Sequence, residues 1–204
     1  MATVEPSVTT PPALPRWLRG GFGLIVAALA LMWIVEIADT VILSDRLEGN
    51  GILPRNVGGL DGILWAPFLH GGFAHLISNT IPFILLSGLV LTQGVRRYLT
   101  ASVIIIVSGG LLVWLFAFGG NENHIGASGW VFGLFGYLIA SAWFEKRPLS
   151  IIVAVVAVTL YGTTILFGFL PRGGVSWEGH LFGLVGGIIA AKVITAQTPS
   201  KELA

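Results

Sequence analysis

The residues able to do chemistry inside this sequence's apolar stretches are few, and they fall in three short runs. "HGGFAHLISN" carries His70, His75 and Asn79, "NHIGASGWVFGLFGYL" carries His124 and Ser128, and "EGHLFGLVGG" carries His180. Ionisable and polar groups of this kind are costly inside a membrane span, and by default they mark function there. A serine hydroxyl is a poor nucleophile until a neighbouring base takes its proton, and neutral imidazole is the usual base. Ser128 and His180 therefore make a candidate dyad. The oxyanion of a tetrahedral intermediate also needs hydrogen-bond donors aimed at it. His75 and Asn79 are four residues apart and share one helix face. Both can donate, and the backbone N–H of Ser128, at a helix start whose first amides lack intrahelical acceptors, adds a third donor. Gly126 and Gly129 flank the serine closely enough to let a substrate backbone approach.

The elements that must position these groups are membrane spans. Of 204 residues, 54% are hydrophobic and only 10% charged, with a mean hydropathy of +0.87; a soluble domain carries about 25% charged residues. The sequence predicts an all-α, polytopic membrane protein. Uncharged stretches at 20–35, 62–95, 98–121, 123–144, 148–171 and 179–191 give six candidate spans. The first and last are short against the roughly 20 residues a span needs, so the first extends past Glu36 and Asp39 to Leu43 and the last past Lys192. Orientation follows from the basic residues. With the N-terminus in the cytoplasm, eight of the 11 lie inside (Arg16, Arg19, Arg96, Arg97, Lys146, Arg147, Lys192 and Lys201), and Arg46, Arg55 and Arg172 lie outside. Both termini are then cytoplasmic, the loops 44–61 and 119–125 face outward, and Ser128 and His180 sit near the outer face.

Glycine supplies the means of bringing the polar helices together. Gly129, Gly133 and Gly136 recur at helical spacing, as do Gly179, Gly183 and Gly187, and such rows let helices approach closely in lipid. Residues 1–15, rich in Thr and Pro, read as a disordered cytoplasmic tail, 16–196 as one membrane domain of six helices, and 197–204 as a second cytoplasmic tail.

Plainer roles exist for each residue. Serine is a favoured helix N-cap, and His180 taken alone could be a packed histidine bonded to a backbone carbonyl. His70 is expected to order the start of its helix, and His124 to be solvated in a short polar loop. Glu36 and Asp39 are expected to be interfacial or paired. A zinc peptidase would need His-Glu-x-x-His on a helix, which the sequence lacks, so no metal and no cofactor is expected. The near-neutral net charge of +1 offers no basic surface for nucleic acid. With no cysteine there is no thiolate nucleophile. A small transporter would call for matching interrupted helices, which the sequence lacks.

Taken together, Gly126-Ala127-Ser128-Gly129, the His75 to Asn79 pair with His70 ahead of it, and His180 before its glycine row resemble the rhomboid intramembrane serine proteases. The resemblance spans roughly residues 20–195. It implies a compact six-span bundle of bacterial type in the plasma membrane, with Ser128 as nucleophile and His180 as base in a dyad without a carboxylate. It further implies His75 and Asn79 in the oxyanion hole, and transmembrane protein substrates cut near their outer ends. Phe132 stands where many members carry a tyrosine whose ring packs on the catalytic histidine. A Trp-Arg pair common in the family's first outer loop is absent, with Asp61-Gly62 about where it would fall. The alternative is an inert relative that binds membrane segments in the lipid bilayer without cutting them.

Overall fold

The computed structural model describes residues 16–118, 122–171 and 174–197. The tail at 1–15, most of the tail at 197–204, the loop tip at 119–121 and Arg172 lie outside the described residues. The described chain is helical: α1 (Arg16–Ala38), α2 (Gly62–Trp65), α3 (Phe73–Leu91), α4 (Val95–Ile104), α5 (Gly110–Phe116), α6 (Ser128–Glu145), α7 (Pro148–Gly168) and α8 (Trp177–Ala196). A π-helical turn, Asp39–Leu43, prolongs α1, and another, Ile105–Gly109, joins α4 to α5 in one continuous rod. Local sequence explains several of the breaks. Gly72 and Gly94, at φ +95° and +115°, precede α3 and α4, a backbone region that glycine enters at little cost. Pro148 opens α7, where its missing N–H loses nothing, and Ser176 caps α8 by accepting the Gly179 N–H.

Five helical segments are long and apolar enough to cross a membrane: Gly20–Leu43, Phe73–Leu91, Val95–Phe116, Pro148–Gly168 and Trp177–Ala196. The protein is thus an all-α polytopic membrane protein. α6 falls outside that set, and its position explains why. Every residue from Trp130 to Leu138 is buried, so over that stretch α6 meets protein on all sides and has no need of a lipid-facing aliphatic surface. The uncharged run 62–95 is not one helix, which corrects the simplest reading of it. Ala66-Pro67 and Gly71-Gly72 interrupt it, and only Phe73–Leu91 forms the long helix.

α6 and α8 make the most extensive contact of any helix pair, and glycine is the reason. A Cβ on Gly183 would fall on the Gly129 carbonyl, one on Gly187 on the Gly133 carbonyl, and one on Gly136 on the Leu184 carbonyl. Gly129 meets Gly179 and Gly183, then Gly133 meets Gly183 and Gly187, so the two helices run parallel. The other side of α8 rests, less tightly, on the π-helical turn, where a Cβ on Gly109 would lie 3.2 Å from the Phe182 carbonyl oxygen. At the far end of the bundle Arg97 pairs with the buried Glu145, whose second oxygen accepts the Ser150 hydroxyl at 2.7 Å. That group ties α4, α6 and α7.

Between α1 and α3 the chain wraps the other end of the bundle. Glu36 and Asp39 are buried, and Asp39 accepts the Leu47 N–H at 2.9 Å. Arg55 donates to the Ala117 carbonyl at 2.6 Å and Trp114 to the Asn56 carbonyl at 2.8 Å. An arginine and a tryptophan far apart in sequence thus pin this loop to the end of α5.

Replacement of Gly187 by valine is expected to destabilise the bundle by about 3 kcal/mol or more, because the new side chain can only force the two backbones apart. Gly88 on α3 has open space around it, and Gly88→Ala should unfold at or slightly above the wild-type temperature. Thermal unfolding in detergent compares the two.

Candidate active site

Ser128 is the first residue of α6, so its N–H and that of Gly129 have no acceptor within the helix. The turn leading into it is shaped around Gly126, which has φ +110°. A Cβ there would sit 2.6 Å from His75 Cε1, 2.7 Å from His75 Nε2 and 3.6 Å from Asn79 Nδ2. Glycine is required twice over, by the backbone conformation and by the ring against it. Gly126 also donates to the Ala66 carbonyl at 2.8 Å. His70, 1% exposed, accepts the Ala127 N–H at Nε2 over a long 3.4 Å.

His180 is buried on the first turn of α8. Its Nδ1 lies 2.6 Å from the Gly168 carbonyl oxygen at the end of α7. A carbonyl only accepts, so Nδ1 carries the proton and the neutral ring leaves Nε2 as a free base. Phe132 stacks on the imidazole at 4.1 Å between centroids with an 8° tilt, one turn along α6 from Ser128. Gly168 makes room for both, since a Cβ there would fall on the Phe132 ring and 3.3 Å from His180 Nδ1.

Two donors face the same space. His75 Nδ1 accepts the Gly71 N–H at a long 3.4 Å, which leaves Nε2–H of the neutral ring directed at Gly126. Asn79 is buried, and its Nδ2 has no partner. An unpartnered buried amide is costly, and this one awaits an acceptor. His75, Asn79, Ser128, Phe132, Gly168 and His180 together line a cavity of about 1130 Å³. The exposed loop residues Glu122 and Asn123 also line it, so it opens at that end of the bundle.

The structure thus brings together His75, Asn79, Ser128, Phe132 and His180, with Gly126, Gly129 and His70 in support. His124 corrects the sequence reading. It is buried rather than solvated, at 5% exposure, its backbone pairs with Ile52 at 3.0 Å in both directions, and its Nδ1 lies 2.6 Å from Ser176 Oγ. Sequence reasoning passed over Ser176 and Gly168. The signal for Ser176 was its place as a cap four residues ahead of His180; Gly168 gave none, because its carbonyl acts without any side chain. Among the described residues no group of three or more His, Asp or Glu could hold a metal ion.

Comparison with known proteins places this geometry. The Rhomboid domain family matches residues 58–197. An uncharacterized protein of Mycobacterium tuberculosis (strain ATCC 25618 / H37Rv) is 40% identical over 190 residues, covering 89% of this chain and 78% of that protein. An uncharacterized protein of Mycobacterium leprae is 35% identical over 189 residues, covering 89% of this chain and 74% of that protein. "Putative rhomboid protease YdcA" of Bacillus subtilis is 27% identical over 177 residues, covering 81% of this chain and 83% of that protein. The chain belongs to the rhomboid family. It is an integral membrane protein, a rhomboid-family intramembrane protease or a rhomboid-like relative of one, with bacterial homologues.

Burial lowers the His70 pKa from 6.5 to about 4, with the nearby His75 adding to the effect. The folded protein therefore favours neutral His70, and that stability is complete above 6.5 and lost as pH falls toward about 4. The loss is on the order of 3 kcal/mol. Unfolding followed between those two pH values should show the decline in wild type, and His70→Gln should make it shallower by about that amount.

Proposed function

We propose that this chain is an intramembrane serine endopeptidase that cleaves transmembrane segments of membrane-protein substrates near their outer ends through a Ser128–His180 dyad. The observation that carries this reading is the convergence, on one open cavity, of a serine at a helix start, a histidine with its Nδ1–H already committed to Gly168, and an unpartnered Asn79 amide.

In this mechanism Nε2 of His180 takes the Ser128 hydroxyl proton as Oγ attacks the scissile carbonyl carbon. The carbonyl oxygen becomes an oxyanion and accepts from His75 Nε2–H, Asn79 Nδ2–H and the Ser128 backbone N–H. Collapse of the tetrahedral intermediate breaks the C–N bond, and His180 gives its proton to the leaving amine. Water entering through the open cavity then loses a proton to His180 and attacks the acyl carbon, and as the C–Oγ bond breaks His180 returns that proton to Ser128 Oγ. No cofactor or metal takes part. α6 brings the spans to six, fourth in chain order and enclosed by the other five, with both termini cytoplasmic and the cavity facing outward in a bacterial plasma membrane.

Labelling of the purified protein with a fluorophosphonate tests the dyad. Wild type should label and should cut a transmembrane substrate in liposomes; Ser128→Ala and His180→Ala should do neither while still folding. Asn79→Ala should cut about 10²–10³-fold more slowly, the usual loss for one oxyanion donor. Full cleavage by Ser128→Ala would end the proposal. A folded wild type that never labels would favour the inert, segment-binding alternative.

A further inference from the structure

The two residues of the proposed dyad have counterparts four residues upstream, just ahead of each helix. His124 precedes Ser128 by four residues and Ser176 precedes His180 by four, so the Ser/His pair recurs at the outer end of the same helix interface with its residue types exchanged. In that outer pair the side chains are bonded, His124 Nδ1 to Ser176 Oγ at 2.6 Å. Each partner is also fixed from behind. His124 is held through its backbone to Ile52, and Ser176 Oγ accepts the Gly179 N–H at 3.0 Å, which caps α8. Phe118 joins the same corner by donating its N–H to buried Glu178 at 3.3 Å.

The glycine contact below needs such a bond. Backbone packed on backbone gains dispersion energy and brings the helices close. It is poorly directional, however, and resists sliding along the helix axis less than it resists separation. A dyad tolerates only about 0.5 Å of error. A short hydrogen bond one turn from the reacting atoms supplies the missing axial constraint. Burial pushes the His124 pKa down, against the carboxylates of Glu178 and Glu122, so the bond is made by a neutral imidazole.

We infer that the His124–Ser176 hydrogen bond is a positioning latch that holds α8 in axial register with the turn leading into Ser128, so that His180 Nε2 meets the serine hydroxyl. Neither residue touches the reacting atoms in this role. The inference rests on the serine-protease reading, and its test separates the two.

Full-length protein is compared as wild type, His124→Ala, Ser176→Ala, the double variant and Ser176→Thr, which keeps the hydroxyl. Each alanine variant should lower the fluorophosphonate labelling rate and kcat by about 10-fold or more with KM unchanged, as expected of a misplaced catalytic group. The double variant should be no slower than the slower single one, since both remove one bond, and Ser176→Thr should restore most of the rate. Wild-type labelling by His124→Ala, or losses that multiply in the double variant, would overturn the latch. Hydrogen exchange gives a reading free of activity. Either alanine variant should raise exchange in both 122–128 and 175–180, and a rise confined to the mutated segment would overturn the latch. That arm decides the latch even where wild type fails to label, a result that counts against the protease reading alone.

Discussion

The most extensive contact among the described helices is between α6 and α8, and the rest of the structure follows from its backbone-to-backbone packing. In lipid there is no hydrophobic gain from joining two helices, so association rests on packing and on hydrogen bonds. Gly183 against Gly129 and Gly187 against Gly133 let carbonyl oxygens of one helix rest on the backbone of the other. The cost is real, since each glycine inside a helix gives up roughly 0.5–1 kcal/mol relative to alanine. What it secures is close approach, with Ser128 and His180 both on the first turns of two parallel helices in contact. Closeness also encloses α6, which is why its sequence is the least lipid-like of the long helices.

The two ends of the bundle are held differently. At one end Arg97, Glu145 and Ser150 form a small buried polar group in which the charges are paired and further hydrogen-bonded, the condition under which burying them is tolerable. At the other end no such ion pair closes the helices among the described residues. The wrapping loop is fastened instead at Asp39, Arg55 and Trp114, around the rim rather than across the middle. A closed end and an open end give a rigid base beneath a cavity.

How much of this could be read in the sequence depends on whether the contact was local. Gly126 to Gly129, the His75–Asn79 spacing and the glycine rows are local patterns, and they pointed to residues that the fold brings together. Burial of His124 depends on Ile52, far away in sequence, so a polar loop composition suggested solvent where there is a backbone pairing. The run 62–95 is continuous in hydropathy but broken in backbone by Pro67 and the positive φ of Gly72, and hydropathy is blind to that. α6 reads as a span because it is uncharged, yet it is too rich in glycine, serine and tryptophan to stand among the lipid-facing helices.

In the proposed dyad His180 Nδ1 meets a carbonyl and no carboxylate among the described residues, and this has a physical rationale in the same setting. A carboxylate would orient the ring and stabilise the imidazolium, but burying one at membrane depth is expensive unless it is fully paired. The Gly168 carbonyl orients the ring through Nδ1 with no charge to desolvate, and α7 delivers it without a side chain. The stacked Phe132 face can then favour the imidazolium once it forms, because an aromatic face attracts a cation more strongly when water is excluded. In the proposed mechanism, orientation and charge stabilisation, which one acidic residue supplies in a soluble triad, are divided between a main-chain carbonyl and an apolar ring, both of which a bilayer accepts at little cost.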